Sequence, residues 1–370
     1  MAQHQSLSVA EYTLGDAPSV VIGDTDAVLY SFDRASARRL ASGNIAVADQ
    51  GTITIRLFSP DGHLLRTLAT RGEGPGEING PFTMTVSADT IIAIGQPPRS
   101  RRGVQLYTES GTIRRLVPLS AAVPTLQALD RVSSGAWLVE QSRGFRIITE
   151  TPQIGTLRPD STKIGLLFEG SSATPSRYVN LPVGVREWFY AYPWIGGPIP
   201  AAEAPFVFGP RALIAVSGTI VWRVQSDEPA VEQFDTTGAR VLRESLPIAP
   251  DTLSAKGWAK LLAIALASFE SRRDSLRITA LYDASILPKS PPLFARALAG
   301  SDGELWLERW SDGSSKTRDF VGVSARGRLL ATLRVPSAFE IQQIGRDFAL
   351  GVRRAPDGTE SIAQYPLVRP

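Results

Sequence analysis

The sequence contains no cysteine and only two histidines, His4 and His63. Without cysteine, the chain cannot form disulfides, thiolate metal sites or a cysteine nucleophile. The histidines lie near the start of the chain and in a predicted hairpin turn, which argues against a histidine-based zinc site and a Ser-His-Asp triad. These absences remove several common catalytic chemistries.

Long hydrophobic runs are also absent. No segment reaches the roughly eighteen uninterrupted apolar residues of a membrane helix, and the best candidate, residues 258–269, contains Lys260. Residues 1–5 do not begin a signal peptide, which needs a basic segment and then an apolar stretch. We therefore expect no membrane span in this chain. We expect a periplasmic or extracellular location, with the leader outside this sequence; a cytoplasmic location is the alternative.

Lysine is scarce, so the net charge of +3 depends mainly on arginine. The arginines are scattered in short groups such as Arg38-Arg39, Arg114-Arg115 and Arg272-Arg273. Nucleic-acid binding needs one continuous basic face. We interpret these pairs as solvated surface and expect no nucleic-acid partner.

The most informative feature present is a short turn that recurs six times between apolar, strand-like runs. Its copies are Ser42-Gly43-Asn44, Ala88-Asp89-Thr90, Ser134-Gly135-Ala136, Ser217-Gly218-Thr219, Asp302-Gly303-Glu304 and Gly345-Arg346-Asp347. Recurrence of one supersecondary unit is typical of repeat architectures. A second, outer hairpin turn recurs in register with it. The sequence therefore predicts an all-β, six-bladed β-propeller of four-stranded antiparallel blades.

The two ends of the chain are expected to meet in one blade. The last repeat supplies three strands, over residues 339–344, 348–353 and 361–368. The N-terminal run 11–14 or 19–22 is the expected missing outer strand. Such closure leaves no unpaired sheet edge.

The spacing of the turns also locates added material. Two gaps are nearly double the others, and neither holds a second full set of turn signals, so we predict six blades with two insertions rather than eight blades. The chain is then a single domain, residues 1–370, with insertions at about 170–205 and 250–290. The second insertion predicts a helix over 251–274, because Trp258, Leu261 and Leu262 are spaced as on one helical face. Its candidate N-caps are Asp251, Thr252 and Ser254.

The first repeat resembles a known group of propellers. Residues 44–49, 55–58, 61–62 and 71–77 are similar to the NHL-type repeat, and more closely to six-bladed propeller proteins of secreted bacterial sets. The match is strong over about residues 38–116 and looser later. The resemblance implies a six-bladed propeller that is often exported and usually lacks assigned chemistry.

The glycine-rich loop at residues 71–77 is one candidate binding site. Glycine permits conformations that turn main-chain N–H groups outward, and such a loop can cradle an anion. Its candidate binding residues are Arg71, Glu73 and Glu77. The alternative is a tight connection between blades. Asp49 and Arg56 are likewise interpreted as a pair that ties adjacent strands within one blade.

The first insertion is the other candidate site, because aromatic residues crowd a short stretch of it. Aromatic side chains with a polar tip are favoured in binding surfaces. The candidate partner-binding residues are Arg186, Trp188, Tyr190, Tyr192 and Trp194. The alternative is that these side chains fill an irregular blade.

The leading functional hypothesis is a non-enzymatic, extracytoplasmic binding or scaffold module. It would engage a protein or glycan partner, which could belong to a membrane-associated complex, and would need no cofactor. The alternative is a hydrolase or lyase with an active site in the central channel, assisted by calcium. Calcium takes six to eight oxygen ligands, and the candidates here are Asp24, Glu77 and Asp130. Convergent carboxylates in the channel would favour that alternative.

Overall fold

The computed structural model is described at residues 9–23, 34–74, 76–78, 82–87, 90–95, 103–118, 126–132, 135–141, 158–159, 163–169, 175–184, 188–192, 202–205, 210–250, 252–267 and 290–370. Over these residues the chain is mostly strand, with turns between the strands, one α-helix and one turn of 3-10 helix.

The first half of the chain forms three consecutive four-stranded units. Its strands are β1 (Ala10–Leu14), β2 (Val20–Ile22), β3 (Ser36–Arg39), β4 (Ile45–Asp49), β5 (Thr54–Phe58), β6 (Leu64–Ala69), β7 (Phe82–Ser87), β8 (Thr90–Gly95), β9 (Gly103–Thr108), β10 (Ile113–Pro118), β11 (Leu126–Val132), β12 (Ala136–Gln141), β13 (Arg158–Pro159), β14 (Lys163–Glu169) and β15 (Pro175–Gly184). Antiparallel sheets are formed by β3–β6, by β7–β10 and by β11, β12, β14 and β15.

The second half repeats this organisation. Its elements are β16 (Trp188–Tyr192), β17 (Ala202–Pro205), β18 (Ala212–Ser217), β19 (Ile220–Gln225), β20 (Ala230–Phe234), β21 (Arg240–Ser245), α1 (Ala255–Ala267), β22 (Phe294–Ala299), β23 (Leu305–Arg309), β24 (Thr317–Val323), β25 (Leu329–Pro336), β26 (Phe339–Ile344), β27 (Phe348–Arg354) and β28 (Glu360–Val368). Strands β18–β21 form another four-stranded antiparallel sheet, and a nine-stranded sheet contains β22–β28. Repeated antiparallel four-stranded sheets are the organisation of a β-propeller.

Both N-terminal strands pair with the end of the chain. Strand β2 lies antiparallel to β28, with Val21 opposite Ala363. Strand β1 lies parallel to β25 and antiparallel to β28, which joins the last two groups of strands into the nine-stranded sheet. The sequence predicted that one of two N-terminal runs would be the missing outer strand of the last repeat, and both runs pair with β28.

The local turn chemistry follows from the sequence. Gly43 and Gly62 have φ of 91° in the turns after β3 and β5, a left-handed conformation that glycine adopts without steric cost. The amide of Gly62 donates to the carbonyl of Ser59 at 3.0 Å, which closes the predicted outer hairpin. The predicted strands and turns of the first repeat are therefore present.

The hydrophobic core lies between the sheets. Each of six clusters of buried side chains joins two successive sheets or groups of strands. One of them packs Ala37 and Val47 of the first sheet against Leu350 and Ile362 near the end of the chain. Trp137, Trp222 and Trp306 occupy the second strands of three units and are fully buried. Apolar packing between neighbours thus holds the units side by side.

The innermost strands contact one another in succession. Strand β3 contacts β7, β7 contacts β11, β11 contacts β18, β18 contacts β22, β22 contacts β26, and β26 contacts β3. The contact of β11 with β18 is informative, because the segment between them contains an additional three-stranded sheet, β13-β16-β17. That added sheet therefore does not separate β11 from β18.

The first predicted insertion is divided between two sheets, which the sequence did not predict. Within residues 170–205, β15 is the outermost strand of a four-stranded sheet, whereas β16 and β17 belong to the added sheet. In the second insertion, the described helix is α1. Ser254 is its N-cap, since its Oγ accepts from the amide of Gly257 at 3.1 Å. Trp258, Leu261 and Leu262 form the predicted buried stripe.

Candidate functional site

The glycine-rich loop between β6 and β7 encloses the side chain of its own glutamate. The Glu77 carboxylate Oε2 accepts from the amide of Gly74 at 2.7 Å, and the Glu77 amide donates to the carbonyl of Gly74 at 3.1 Å. A Cβ on Gly72 would lie 1.9 Å from Glu77 Oε2. Glycine at position 72 thus leaves the space that the carboxylate fills. The N–H group predicted to face a bound anion already faces an internal one.

Neighbouring side chains hold the main chain of this loop. Gln105 Nε2 donates to the carbonyl of Glu77 at 2.9 Å, and the Tyr107 hydroxyl donates to the carbonyl of Gly76 at 3.2 Å. Burial raises the pKa of Tyr107, so its hydroxyl remains a donor. The other two predicted loop residues, Arg71 and Glu73, are exposed. The geometry therefore favours a tight connection between sheets.

The predicted aromatic residues fall partly in the added sheet. Trp188, Tyr190 and Tyr192 occupy alternate positions of β16, its middle strand. Arg186 and Trp194 lie outside the described residues. Alternate positions of a strand share one face of its sheet.

A cavity of about 480 Å³ lies where the innermost strands converge. Residues of β3, β7, β11, β18, β22 and β26 all contribute to its lining. The wall from β18 and β22 is apolar, with Ile214, Val216 and Leu298. The remaining strands contribute charged, amide and hydroxyl groups. The lining of the cavity is therefore mostly polar, with an apolar wall on the side of β18 and β22.

Strand irregularities bring several polar residues to this region. The pairing register shifts between Ala128 and Asp130 in β11, between Phe294 and Arg296 in β22, and between Ile341 and Gln343 in β26. Such β-bulges insert an extra residue and re-aim side chains, and they are common beside functional sites. The alternation of a regular strand would not place these residues in the same way.

Asp130 is the carboxylate that lines the cavity in the described part of the chain. Its Oδ1 accepts from Thr85 Oγ1 at 2.9 Å and from the amide of Arg131 at 2.7 Å. Burial raises the pKa of Asp130, whereas these two hydrogen bonds and the charge of Arg38 oppose the rise. Asp130 is thus a desolvated carboxyl beside a cationic group.

Arg38 is the cationic side chain in the cavity that we consider the candidate for binding a ligand. Its Nη1 donates to the carbonyl of Ala37 at 2.9 Å. Burial lowers the pKa of Arg38, Asp130 raises it and Arg296 lowers it. Arg38 still keeps some accessible surface, because it lines the cavity rather than the packed core.

Other arginines in this region are matched by specific partners. Arg296 forms ion pairs with Glu308 at 2.5 Å and Glu340 at 3.0 Å. Arg39 lies 3.9 Å from Asp347, and its guanidinium lies 4.6 Å from the centroid of the Phe348 ring.

Two consecutive glutamines connect β26 to β3. Gln342 accepts from the amide of Ala37 at 2.6 Å and donates to the carbonyl of Ala35 at 2.8 Å. Gln343 accepts from the amide of Arg39 at 2.6 Å and donates to its carbonyl at 3.2 Å. Each primary amide reproduces the paired donor and acceptor of a neighbouring strand. We call Gln342 and Gln343 the glutamine clamp.

The predicted structural pair within the first sheet is present. Arg56 Nη1 lies 3.8 Å from Asp49 Oδ2, across the adjacent strands β4 and β5. Asp49 is buried. This pair belongs to the scaffold.

The candidate calcium ligands do not come together among the described residues. Glu77 is in its loop and Asp130 is in the cavity, whereas Asp24 lies outside the described residues. Over the residues with described positions, no group of three or more histidine, aspartate or glutamate side chains is arranged to hold a metal ion.

The sequence interpretation was wrong for one arginine pair. Arg38 and Arg39 were expected on the solvated surface, and both instead line the central cavity. The available signal was their position in the strand just before the recurrent turn. Asp130 and Arg131 precede the third copy of that turn in the same way. In the part of the chain that is described, no helix combines the length and apolar character needed to cross a membrane.

No protein-family model matches the sequence, and no curated protein matches it. The fold is similar to that of a DUF4221 family member from Bacteroides vulgatus, with a TM-score of 0.52, 8% identity, and coverage of 98% of this chain and 99% of that one. A candidate exported protein from Bacteroides fragilis has a TM-score of 0.48 at 12% identity, covering 97% and 95% of the respective chains. The calcium-binding protein regucalcin from Agrobacterium tumefaciens has a TM-score of 0.41 at 13% identity, covering 97% and 95%. At 8% identity, the similarity to the DUF4221 family member, whose TM-score is 0.52, concerns the fold alone.

Proposed function

We propose that this protein is a closed, six-bladed propeller of the NHL-like type that acts by binding rather than by catalysis. The succession of contacts among the innermost strands supports six blades. The pairing of β1 and β2 with β28, together with the glutamine clamp, supports closure of the ring. We place its action outside the cytoplasm.

The proposed binding surface is the added sheet β13-β16-β17. The observation that carries this proposal is that Trp188, Tyr190 and Tyr192 alternate along the middle strand of a sheet that is separate from the four-stranded units. Because β11 contacts β18 directly, the propeller does not need this sheet to continue its ring. Aromatic residues on one face of an added element fit a protein or glycan partner.

The test replaces two aromatic residues, Trp188→Ala with Trp194→Ala. Binding to a glycan array and to candidate extracytoplasmic proteins should be lost, while the Tm stays close to that of the unmodified protein. The matched control is Leu64→Ala with Leu65→Ala, which removes two exposed apolar side chains from β6. That control should retain binding. A large fall in Tm for the tryptophan variant would identify those residues as core and overturn the proposal.

The second candidate function is a hydrolase or lyase that uses the central cavity. The raised pKa of Asp130 favours this second function, because a carboxyl that stays protonated to a higher pH can serve as a general acid. Turnover of a substrate that is lost in Asp130→Asn would support this alternative over the binding role.

A further inference from the structure

We propose that the central cavity binds a small organic monocarboxylate that carries an apolar chain or ring. The guanidinium of Arg38 would receive the carboxylate, and the wall from β18 and β22 would receive the apolar part. This site is distinct from the added sheet, so it stands or falls independently of the proposed partner surface.

The first argument is the incomplete pairing of Arg38. A guanidinium has five N–H donors in a fixed planar arrangement, and one of those of Arg38 bonds the carbonyl of Ala37. Among the described residues, no carboxylate oxygen lies within ion-pairing distance of Arg38, including those of Asp130. Arg296 and Arg39, by contrast, both have carboxylate partners. The interior thus holds a cation with donors to spare.

The second argument is that the geometry and charge of the Arg38 guanidinium match those of a monoanion. One guanidinium matches one carboxylate, since the two planar groups form two parallel hydrogen bonds. Arg39 and Arg131 also line the cavity, but Arg39 lies beside Asp347 and Phe348, and the guanidinium of Arg131 lies 5.5 Å from the centroid of the Trp137 ring. A phosphate dianion would need more donors than Arg38 alone supplies. Asp130 also disfavours a doubly charged ligand, because it places negative charge near the same region. A monoanion is therefore the better match.

The third argument is the opposite wall. Ile214, Val216 and Leu298 line the cavity without a polar side chain between them. Apolar surface that faces an internal space gains free energy when it is covered by an apolar group. A purely ionic ligand would leave that wall in contact with water.

The size and access of the cavity fit a small organic molecule. Its volume of about 480 Å³ lies within the range of about 300–1,000 Å³ that small-molecule sites occupy. A second cavity of about 390 Å³ shares Arg39, Ala299 and Gln343 with it and extends to the inner turns. The two cavities are therefore adjacent.

The experiment titrates the full chain with octanoate and 4-phenylbutyrate by isothermal titration calorimetry. Octanamide and 4-phenylbutyramide are the neutral counterparts, and inorganic phosphate is the purely ionic probe. We expect at least one carboxylate to bind and to raise the Tm. We expect its amide and phosphate to bind at least about tenfold more weakly, because a charge-assisted pair and apolar burial are both required.

Two variants locate the binding. Arg38→Gln should weaken carboxylate binding at least about tenfold, whereas Arg326→Gln, which makes the same change on an exposed turn, should not. Val216→Asp places a competing carboxylate on the apolar wall and should also abolish binding, which keeps the test open if Arg38→Gln does not fold. Equal affinity for amide and carboxylate, equal affinity for phosphate, unchanged affinity in both cavity variants, or no binding by any carboxylate would each overturn the proposal.

Discussion

The glycine-rich loop and the central cavity both contain groups that could bind an anion, and they differ in what those groups already contact. In the loop, the amide of Gly74 donates to the carboxylate of Glu77. In the cavity, the glutamine clamp is occupied by main-chain groups of β3. Arg38, by contrast, has one hydrogen bond to the described part of the chain, which it donates to the carbonyl of Ala37. The comparison teaches that a conspicuous motif can serve the fold, while an inconspicuous strand residue retains donors for a ligand.

The comparison predicts that the glutamine clamp carries the largest structural role. Gln342→Ala with Gln343→Ala removes four hydrogen bonds between β26 and β3. At about 1 kcal/mol for each bond, the free energy of unfolding should fall by about 2–4 kcal/mol, as measured by urea denaturation. A change below about 0.5 kcal/mol, which is the range of ordinary surface substitutions, would show that the clamp does not hold the first and last sheets together.

The loop should show an intermediate effect. Gly72→Ala puts a methyl group where the Glu77 carboxylate lies, so the bond to the Gly74 amide is lost and the free energy of unfolding should fall by about 1–3 kcal/mol. Gly257→Ala is the control, because its Cβ would meet neighbours at ordinary contact distances in α1 and should stabilise the helix slightly.

A double variant sharpens the result for the loop. If Gly72→Ala acts by displacing the carboxylate, then combining it with Glu77→Ala should cost little more than either change alone, because both remove the same hydrogen bond. Fully additive losses in urea denaturation would contradict this account of the loop.

Arg38 should show almost no effect on stability. Arg38→Gln removes a half-buried cation that has one main-chain hydrogen bond among the described residues and lies near Arg296. Burial of an incompletely paired charge is costly, so the free energy of unfolding without ligand should stay the same or rise. A loss above about 2 kcal/mol in urea denaturation would indicate a structural role like that of the clamp.

The smallest expected effect is on the pH dependence of the free energy of unfolding, through the titration of Asp130. Its folded-state pKa is raised above the unfolded value, chiefly by burial. Ionised Asp130 therefore lowers the free energy of unfolding at pH values above its folded pKa, and this penalty disappears as the pH falls to the unfolded pKa.

Asp130→Asn should remove this pH-dependent penalty. The variant should equal or exceed the unmodified protein in stability at about pH 7, and the difference should shrink toward about pH 4. Other aspartates titrate in both proteins, so their contribution cancels when the two free energies of unfolding are subtracted. A difference that instead grows toward acid pH in urea denaturation would contradict the raised pKa.

The sequence predicted the scaffold well because turns and alternation are local properties. The recurrent turn and the outer hairpin required glycine at Gly43 and Gly62, and both adopt positive φ. The helix stripe and its Ser254 cap are also local signals, and both are present. Placement of both N-terminal strands was less determined, because pairing with β28 depends on contacts across the whole chain.

The sequence did not predict the cavity, because its lining comes from strands far apart in the chain. Arg38 and Asp130 are neighbours only through the arrangement of the sheets, and the bulges that re-aim residues leave no local signature. The sequence left two interpretations of the loop open, a binding site and a tight connection. Its glycines indicated open amide groups, and only the folded position of Glu77 showed that one of those groups is occupied.

The most direct test of the difference between the glycine-rich loop and the cavity records the arginine side-chain signals while a ligand is added. The protein is labelled with ¹⁵N-arginine, and octanoate is titrated in while the guanidinium Nε–H signals are recorded, with Arg38 and Arg71 assigned through their glutamine variants. The account predicts a saturable shift of the Arg38 signal and an unchanged Arg71 signal. A saturable shift of Arg71 with an unchanged Arg38 would contradict it.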